Sequence, residues 1–143
     1  MYTYKYPRPA VTADCLVFAR KGDTVQLLLV ERKNNPYKGC WAFPGGFMNM
    51  DETAEDAARR ELFEETGIKV GELEQVGAFT AVDRDPRGRV ITIAYFTWLD
   101  SPVPAVGGDD ANQAQWFPID ALPSLAFDHH DILETARNKI PNL

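Results

Sequence analysis

Between Thr53 and Thr66 the chain places Glu61, Glu64 and Glu65 at spacings of i, i+3 and i+4, so the three carboxylates are neighbours on any helix that spans them. Like charges this close repel, and the arrangement costs stability unless cations compensate. Hard carboxylate oxygens clustered in this way suit Mg²⁺ or Mn²⁺, which in turn grip phosphate oxygens. Stepping the helix at about 100° per residue puts Ala54, Ala57, Ala58 and Leu62 at about 0°, 300°, 40° and 80°, a stripe that should face a core. Glu61 falls at about 340° and Glu65 at about 20°, inside that stripe, with Glu64 at its edge at about 280°. A competing reading turns the wheel toward Phe63, at about 180°, and makes the acids a solvated face with Arg59 and Arg60 as ion-pair partners. Periodicity leaves both readings open.

The helix that carries these acids has readable ends. Thr53 can cap it, Asp56 three residues on supports the cap, and Gly67 suits the position after the last turn. Strand patterns flank it at Ala10 to Ala19, Val25 to Val30 and Val90 to Leu99, with shorter ones at Trp41 to Phe43, Val76 to Ala81 and Gln115 to Phe117. A second helical pattern runs from His129 to Ile140, and breaks are expected at Gly45-Gly46, Pro86-Arg87-Gly88 and Gly107-Gly108. The Pro-, Gly- and Asp-rich run from Val103 to Asn112 is long enough to be a working loop. These patterns predict an α/β fold.

The 143 residues, 45% hydrophobic and 25% charged, have the balance of one globular domain over 1–143. A net charge of -6 gives no general reason to bind nucleic acid or an anionic membrane, so a polyanionic small substrate would need a local cationic device. The start MYTYKYPRPAV has no apolar core of a signal sequence and no run of about 18 apolar residues occurs, so a cytoplasmic location is expected. Cys15 and Cys40 make no CxxC pair and are read as free thiols rather than a disulfide or metal ligands.

From Gly46 to Ile68 the sequence reads GFMNMDETAEDAARRELFEETGI. This stretch resembles the signature of the Nudix hydrolase family, and Gly46, Glu52, Arg60, Glu61, Leu62, Glu64, Glu65, Gly67 and Ile68 fill every fixed position. At average residue usage such a match arises by chance on the order of once in 10⁷ chains of this length. The resemblance implies an α/β/α sandwich with a mixed sheet between helices. It implies that Glu61, Glu64 and Glu65 supply metal ligands, with the Gly45 backbone carbonyl completing the site for Mg²⁺ or Mn²⁺. Glu52 and Arg60 are implied to hold the loop against the helix, with Gly46 permitting the tight turn. The implied chemistry is attack of a metal-activated water on a phosphorus of a nucleoside diphosphate derivative, and a homodimer is implied as well.

Beyond the signature, Asp83-Arg84-Asp85-Pro86-Arg87-Gly88-Arg89 followed by VITIAYF resembles the ADP-ribose pyrophosphatase branch, as does Phe127-Asp128-His129-His130. Arg84 and Arg87 are the candidate diphosphate or ribose donors, joined by Arg32 and by Phe79 as a stacking surface. The competing reading of the arginine-rich run is an exposed hairpin turn. Tyr37 and Trp41 are further stacking candidates, and His129 and His130 are expected to begin the last helix rather than bind metal. Two positions depart from the pattern. Val82 stands where this branch commonly has proline, and Gln113-Ala114-Gln115-Trp116 lacks the glutamate that often precedes the A-x-W strand. An amide is no general base, so Asp109, Asp110 or Glu64 must take that part, with Glu61, Glu64 and Asp110 forming the candidate catalytic set.

Hydrolysis of ADP-ribose to AMP and ribose 5-phosphate is the expected reaction. The alternative within the same chemistry is a sanitising hydrolase that releases diphosphate from oxidised nucleoside triphosphates. The alternative outside it is a non-catalytic ADP-ribose sensor, whose DNA-binding domain has no counterpart among these residues.

Overall fold

A computed structural model describes residues 1–107 and 111–143. In chain order the elements are β1 (Ala10–Lys21), β2 (Thr24–Arg32), β3 (Trp41–Ala42), β4 (Gly45–Phe47), α1 (Ala54–Thr66), β5 (Glu74–Phe79), β6 (Val90–Leu99), β7 (Ala111–Pro118) and α2 (His129–Lys139). The strands form one mixed sheet ordered β3-β2-β1-β6-β5, with β4 attached to β1 and β7 to β2.

The centre of the sheet is β1, which runs parallel to β6 from Ala10↔Val90 to Ala19↔Leu99. Its other edge is divided. Phe18 to Lys21 pair with Thr24 to Leu27 in a hairpin turned at Gly22, whereas Thr12, Ala13 and Asp14 pair with Phe47, Gly46 and Gly45. Beyond the hairpin β2 parts from β1 and pairs with β3, while β7 lines the other edge of β2 from Gln26 to Arg32.

The alternation of side chains along β1 explains the layers. Ala13, Cys15 and Val17 point to the α1 side, where they pack with Ala57, Ala58, Leu62 and Leu28. Leu16 and Phe18 point the other way, into a core with Leu27, Leu29, Phe43, Ile132 and Leu133 that seats α2. Both faces of β1 are dry, which is the condition of the middle layer of an α/β/α sandwich. The small residues Ala13, Cys15, Ala57 and Ala58, all fully buried, let α1 lie close to the sheet.

The expected elements all form, with two local differences. Gly45-Gly46, read as a break, is strand β4; two residues without side chains carry no alternation signal. A Cβ on Gly45 would fall on Asp14 Oδ1 and within 2.5 Å of the Ala13 carbonyl oxygen, so only glycine can pair this closely with β1. Strand β7 begins at Ala111, inside the run expected to be loop, because it continues its pairing with β2 as far as Arg32.

Candidate active site

Helix α1 ends as its sequence demands. Thr53 accepts a hydrogen bond from the Asp56 amide at 3.1 Å, and Gly67, at φ 75°, donates to the Phe63 carbonyl. Ala57, Ala58, Leu62 and Thr66 are buried against the sheet and Phe63 is exposed, so the wheel is not turned toward Phe63. Glu61 and Glu65 consequently emerge at the border of the apolar stripe, where strand β4 passes.

There the contacts are close. The Gly45 amide donates to Glu65 Oε2 at 2.9 Å. A Cβ on Gly46 would stand 2.6–2.8 Å from the Glu61 carboxylate, so Gly46 is a cradle for that group. Arg60 braces the assembly: it donates to both Glu52 oxygens at 2.7 and 3.0 Å, to the Phe47 carbonyl at 3.1 Å, to Glu61 at 2.7 Å and to Glu64 at 3.1 Å. Its guanidinium is held above its ordinary range, foremost by the hydrogen bonds to Glu52. Glu52 is held below the usual carboxylate range, chiefly by Arg60 and then by the Asn49 amide. Glu52 and Arg60 thus tie the loop after β4 to α1, with Gly46 set against Glu61.

The charge-compensation reading was partly accurate as well, since Arg60 does pair with Glu61 and Glu64, while Arg59 turns to Glu55 and Asp56. Hard oxygen donors set against a glycine cradle fit a small divalent cation. Glu64, with its side chain half exposed, is turned toward Arg60, and among the described residues no three acidic, His or Cys groups converge on a single metal position. Asp109 and Asp110 lie outside the described residues.

Opposite these acids a cleft of about 410 Å³ is lined by Arg32, Arg60, Arg87, Gly45, Gly46, Glu61 and Glu65, among others. That volume lies in the range of about 300–1,000 Å³ usual for small-ligand sites. Arg32 is anchored through Nε to the Pro36 carbonyl at 2.7 Å. Arg87 is gripped by Asp85, which accepts from its backbone amide at 2.9 Å and from Nη2 at 2.7 Å. Both guanidiniums approach the Phe127 ring, at 4.9 and 5.3 Å from its centre. Burial, followed by the nearby Arg87 charge, pushes Arg32 below its ordinary range. Two guanidiniums lining one cleft offer fork-shaped donors to an anion.

Arg84 is placed differently. It is buried and gives Nε and Nη2 to the two Asp128 oxygens at 2.9 and 2.7 Å, fastening the Asp83–Arg89 turn to the start of α2. Phe79 packs against the α2-side core and lines neither this cleft nor the smaller cavity next to it. Tyr37 packs against Phe127 at a tilt, with ring centres 4.9 Å apart. Trp41 packs edge-on against Phe117. His129 is buried in α2, as a helix-starting residue, and accepts a hydrogen bond from the Phe43 amide. Cys15 and Cys40 are free, and burial, then Asp14, pushes the Cys15 thiol up to about 12.

Acids and guanidiniums lining one cleft define a protein that handles phosphate-bearing substrates. Comparison with known proteins makes the class specific: residues 8–136 match the NUDIX domain, and the chain belongs to the Nudix family of hydrolases. It is 43% identical to an ADP-ribose pyrophosphatase of Methanocaldococcus jannaschii over 90% of this chain and 73% of that protein. It is also 37% identical to the ADPR responsive transcriptional repressor NtrR of Acinetobacter baylyi, covering 96% of this chain but only 56% of the repressor. Among solved structures, the NUDIX domain of Shewanella oneidensis NrtR complexed with ADP ribose superposes with a TM-score of 0.88 at 30% identity, over 96% of this chain and 93% of that one. A Francisella tularensis NMN adenylyltransferase/ADP ribose pyrophosphatase complexed with AMP and Mn ion gives a TM-score of 0.83 at 30% identity, over 95% of this chain and 43% of that one.

Sequence reasoning passed over two further residues of the site. Phe127, at φ 51°, belongs to the motif before α2, but its role as the ring that both arginines approach is not legible there. Asp14 is a charge flanked by Ala13 and Cys15 in a strand that is mostly apolar, which is the signal the sequence carries for it.

Proposed function

We propose that this protein hydrolyses ADP-ribose to AMP and ribose 5-phosphate with Mg²⁺ or Mn²⁺ as cofactor. The observation that carries the reading is the pair Arg32 and Arg87, which line one cleft together with Glu61 and Glu65. In this reading the two guanidiniums hold the diphosphate, Glu61, Glu64, Glu65 and the Gly45 carbonyl hold the cation, and Arg84 keeps the Arg87-bearing turn in place. When bound, such a cation lowers the pKa of a coordinated water and neutralises charge that grows on phosphate oxygens. One phosphorus gains the water oxygen, and its bond to the bridging oxygen breaks with the electron pair left on that oxygen. Glu64 and Asp110 are the carboxylates proposed to take up the water proton.

The sign of the local field supports this assignment: a chain of net charge -6 still gathers Arg32, Arg60 and Arg87 around one cleft. The names of the Methanocaldococcus relative and the Shewanella complex point to the same ligand. No helix among the described residues is long and apolar enough to cross a membrane. We assign the protein to the cytoplasm, where two free cysteines are chemically at home, and to a homodimer, for which the exposed Tyr4, Phe47 and Met50 offer apolar surface.

The test is product analysis with Mg²⁺ and a panel of ADP-ribose, NADH, GDP-mannose, diadenosine polyphosphates and 8-oxo-dGTP. Fastest formation of AMP and ribose 5-phosphate from ADP-ribose is expected, and Glu65→Gln should remove most of that turnover while the fold persists. Fastest release of diphosphate from the nucleoside triphosphate would move the protein to the sanitising reaction, and silence across the panel with tight ADP-ribose binding would make it a sensor.

A further inference from the structure

Next to the cleft lies a second cavity of about 90 Å³, which shares Arg32, Gly45, Gly46, Phe47 and Arg87 with it. It is well below the roughly 300 Å³ at which complete small-ligand sites begin, so it takes one group of a substrate rather than the whole. Its inner wall includes Asp14, 6% exposed, and His129, 3% exposed.

The polar atoms of this wall are arranged in order. The fully buried Thr92 donates its hydroxyl to Asp14 Oδ2 at 2.6 Å, and this fixes the carboxylate plane. The Phe43 amide donates to His129 Nδ1 at 3.2 Å, so the neutral ring carries its proton on Nε2, which lies 3.7 Å from Asp14 Oδ2. The Phe43 ring stacks on that imidazole at 4.5 Å. Asp14 Oδ1 is left without a hydrogen-bond partner among the described residues, while no fully buried side-chain nitrogen or oxygen among them lacks one. Oδ1 therefore is not fully buried; it lies beside Gly45 on the lining of the cavity. A clamped carboxylate with one oxygen offered to a small, half-apolar cavity accepts from hydroxyls, because an ionised acid has acceptors only. Arg32, Arg84 and Arg87 line the same cavity with Asp14 and Asp85, so it is the unpartnered acceptor Oδ1, and not the net charge of the wall, that calls for a hydroxyl donor.

We infer that this cavity is a subsite for a ribose diol of the substrate, with Asp14 as the residue that accepts from the hydroxyls and so determines specificity. The inference rests on the ADP-ribose reading and deepens it. A diphosphate held by Arg32 and Arg87 sits at the junction of the two cavities, so a ribose attached to it enters the smaller one. Both riboses of ADP-ribose carry this chemistry, and the experiment separates them.

The experiment measures kcat/KM with Mg²⁺ for ADP-ribose and for two analogues, one lacking the 2-hydroxyl of the adenosine ribose and one lacking that of the terminal ribose. Wild-type protein should discriminate against one analogue by about 10- to 100-fold, the range given by a hydrogen bond to a charged group. Asp14→Asn should bring that discrimination close to one by slowing ADP-ribose and leaving the disfavoured analogue nearly unchanged. Melting temperature is followed in parallel. If Asp14→Asn does not fold, Thr92→Val, which releases the carboxylate but keeps the side-chain shape, should still reduce the discrimination. Equal wild-type rates on all three compounds would overturn the diol assignment while ADP-ribose hydrolysis stands. An equal fall on all three in Asp14→Asn would overturn it as well, as the mark of a merely structural residue. No turnover of any of the three, with diphosphate released from a nucleoside triphosphate, would instead remove the ADP-ribose reading beneath it.

Discussion

Substituting Gly46 by alanine separates the chemistry of this site from its stability. Gly46 does not occupy the left-handed region, so alanine brings no backbone strain and acts only through its Cβ. That atom would stand 2.6 Å from Glu61 Cδ and 2.7 and 2.8 Å from the two oxygens. Carbon atoms in ordinary contact are about 3.5–4.0 Å apart, so the carboxylate must retreat by about 1 Å. The Glu61 side chain is 18% exposed and can swing along Arg60, which follows it, so the cost in folding free energy should stay under about 1 kcal/mol. A misplacement of about 1 Å in a catalytic group costs about 10²-fold in rate, equivalent to about 2.7 kcal/mol at 1.36 kcal/mol per tenfold. The expected outcome is a kcat/KM on ADP-ribose reduced about a hundredfold, with a melting temperature only a few degrees lower. Steady-state kinetics and urea unfolding on the same preparation measure both. Wild-type turnover in Gly46→Ala would refute the argument that Glu61 must rest in this cradle.

Three further outcomes follow from the geometry. Arg84→Leu strands Asp128, whose side chain is 17% exposed, without its bidentate partner; loss of about 3 kcal/mol in urea unfolding is expected, and a loss under about 1 kcal/mol would mean that water already shares this ion pair. The pKa of His129 is lowered, foremost by burial, with Arg84 and Arg32 adding to this and Asp14 and Asp128 opposing it. The unfolded chain therefore takes up this proton first, so wild-type stability should fall as pH drops below about 6.5, and His129→Gln should flatten the profile between pH 7 and 5; parallel profiles would contradict it. Thr53→Ala removes the cap on the Asp56 amide and should cost about 1 kcal/mol by the same urea assay, with no effect beyond that on kcat once the protein is folded.

The residues from Thr53 to Gly67 were sufficient to predict α1 and its acids, because capping, 3.6-residue periodicity and charge spacing are local properties. The strands of the central sheet were legible for a similar reason, since β1, β2 and β6 carry long apolar runs. The stretch from Gly46 to Ile68 resembles the Nudix signature at every fixed position, and residues 8–136 match that family. Other features depended on distance in space. Strand β4 was invisible because its glycines have no side chains to alternate, and it becomes necessary only when β1 and α1 approach from both sides. Arg84 and Arg87 stand three residues apart in one motif, yet Asp128 draws the first into a buried pair while Asp85 turns the second to the cleft. Asp14, Thr92 and His129 come from β1, β6 and α2, and no sequence window contains more than one of them. A local pattern determines which groups a helix or strand can present. Which of those groups face one another, and which are consumed by structure, is decided by burial and by partners far away in the chain, and that required the tertiary fold.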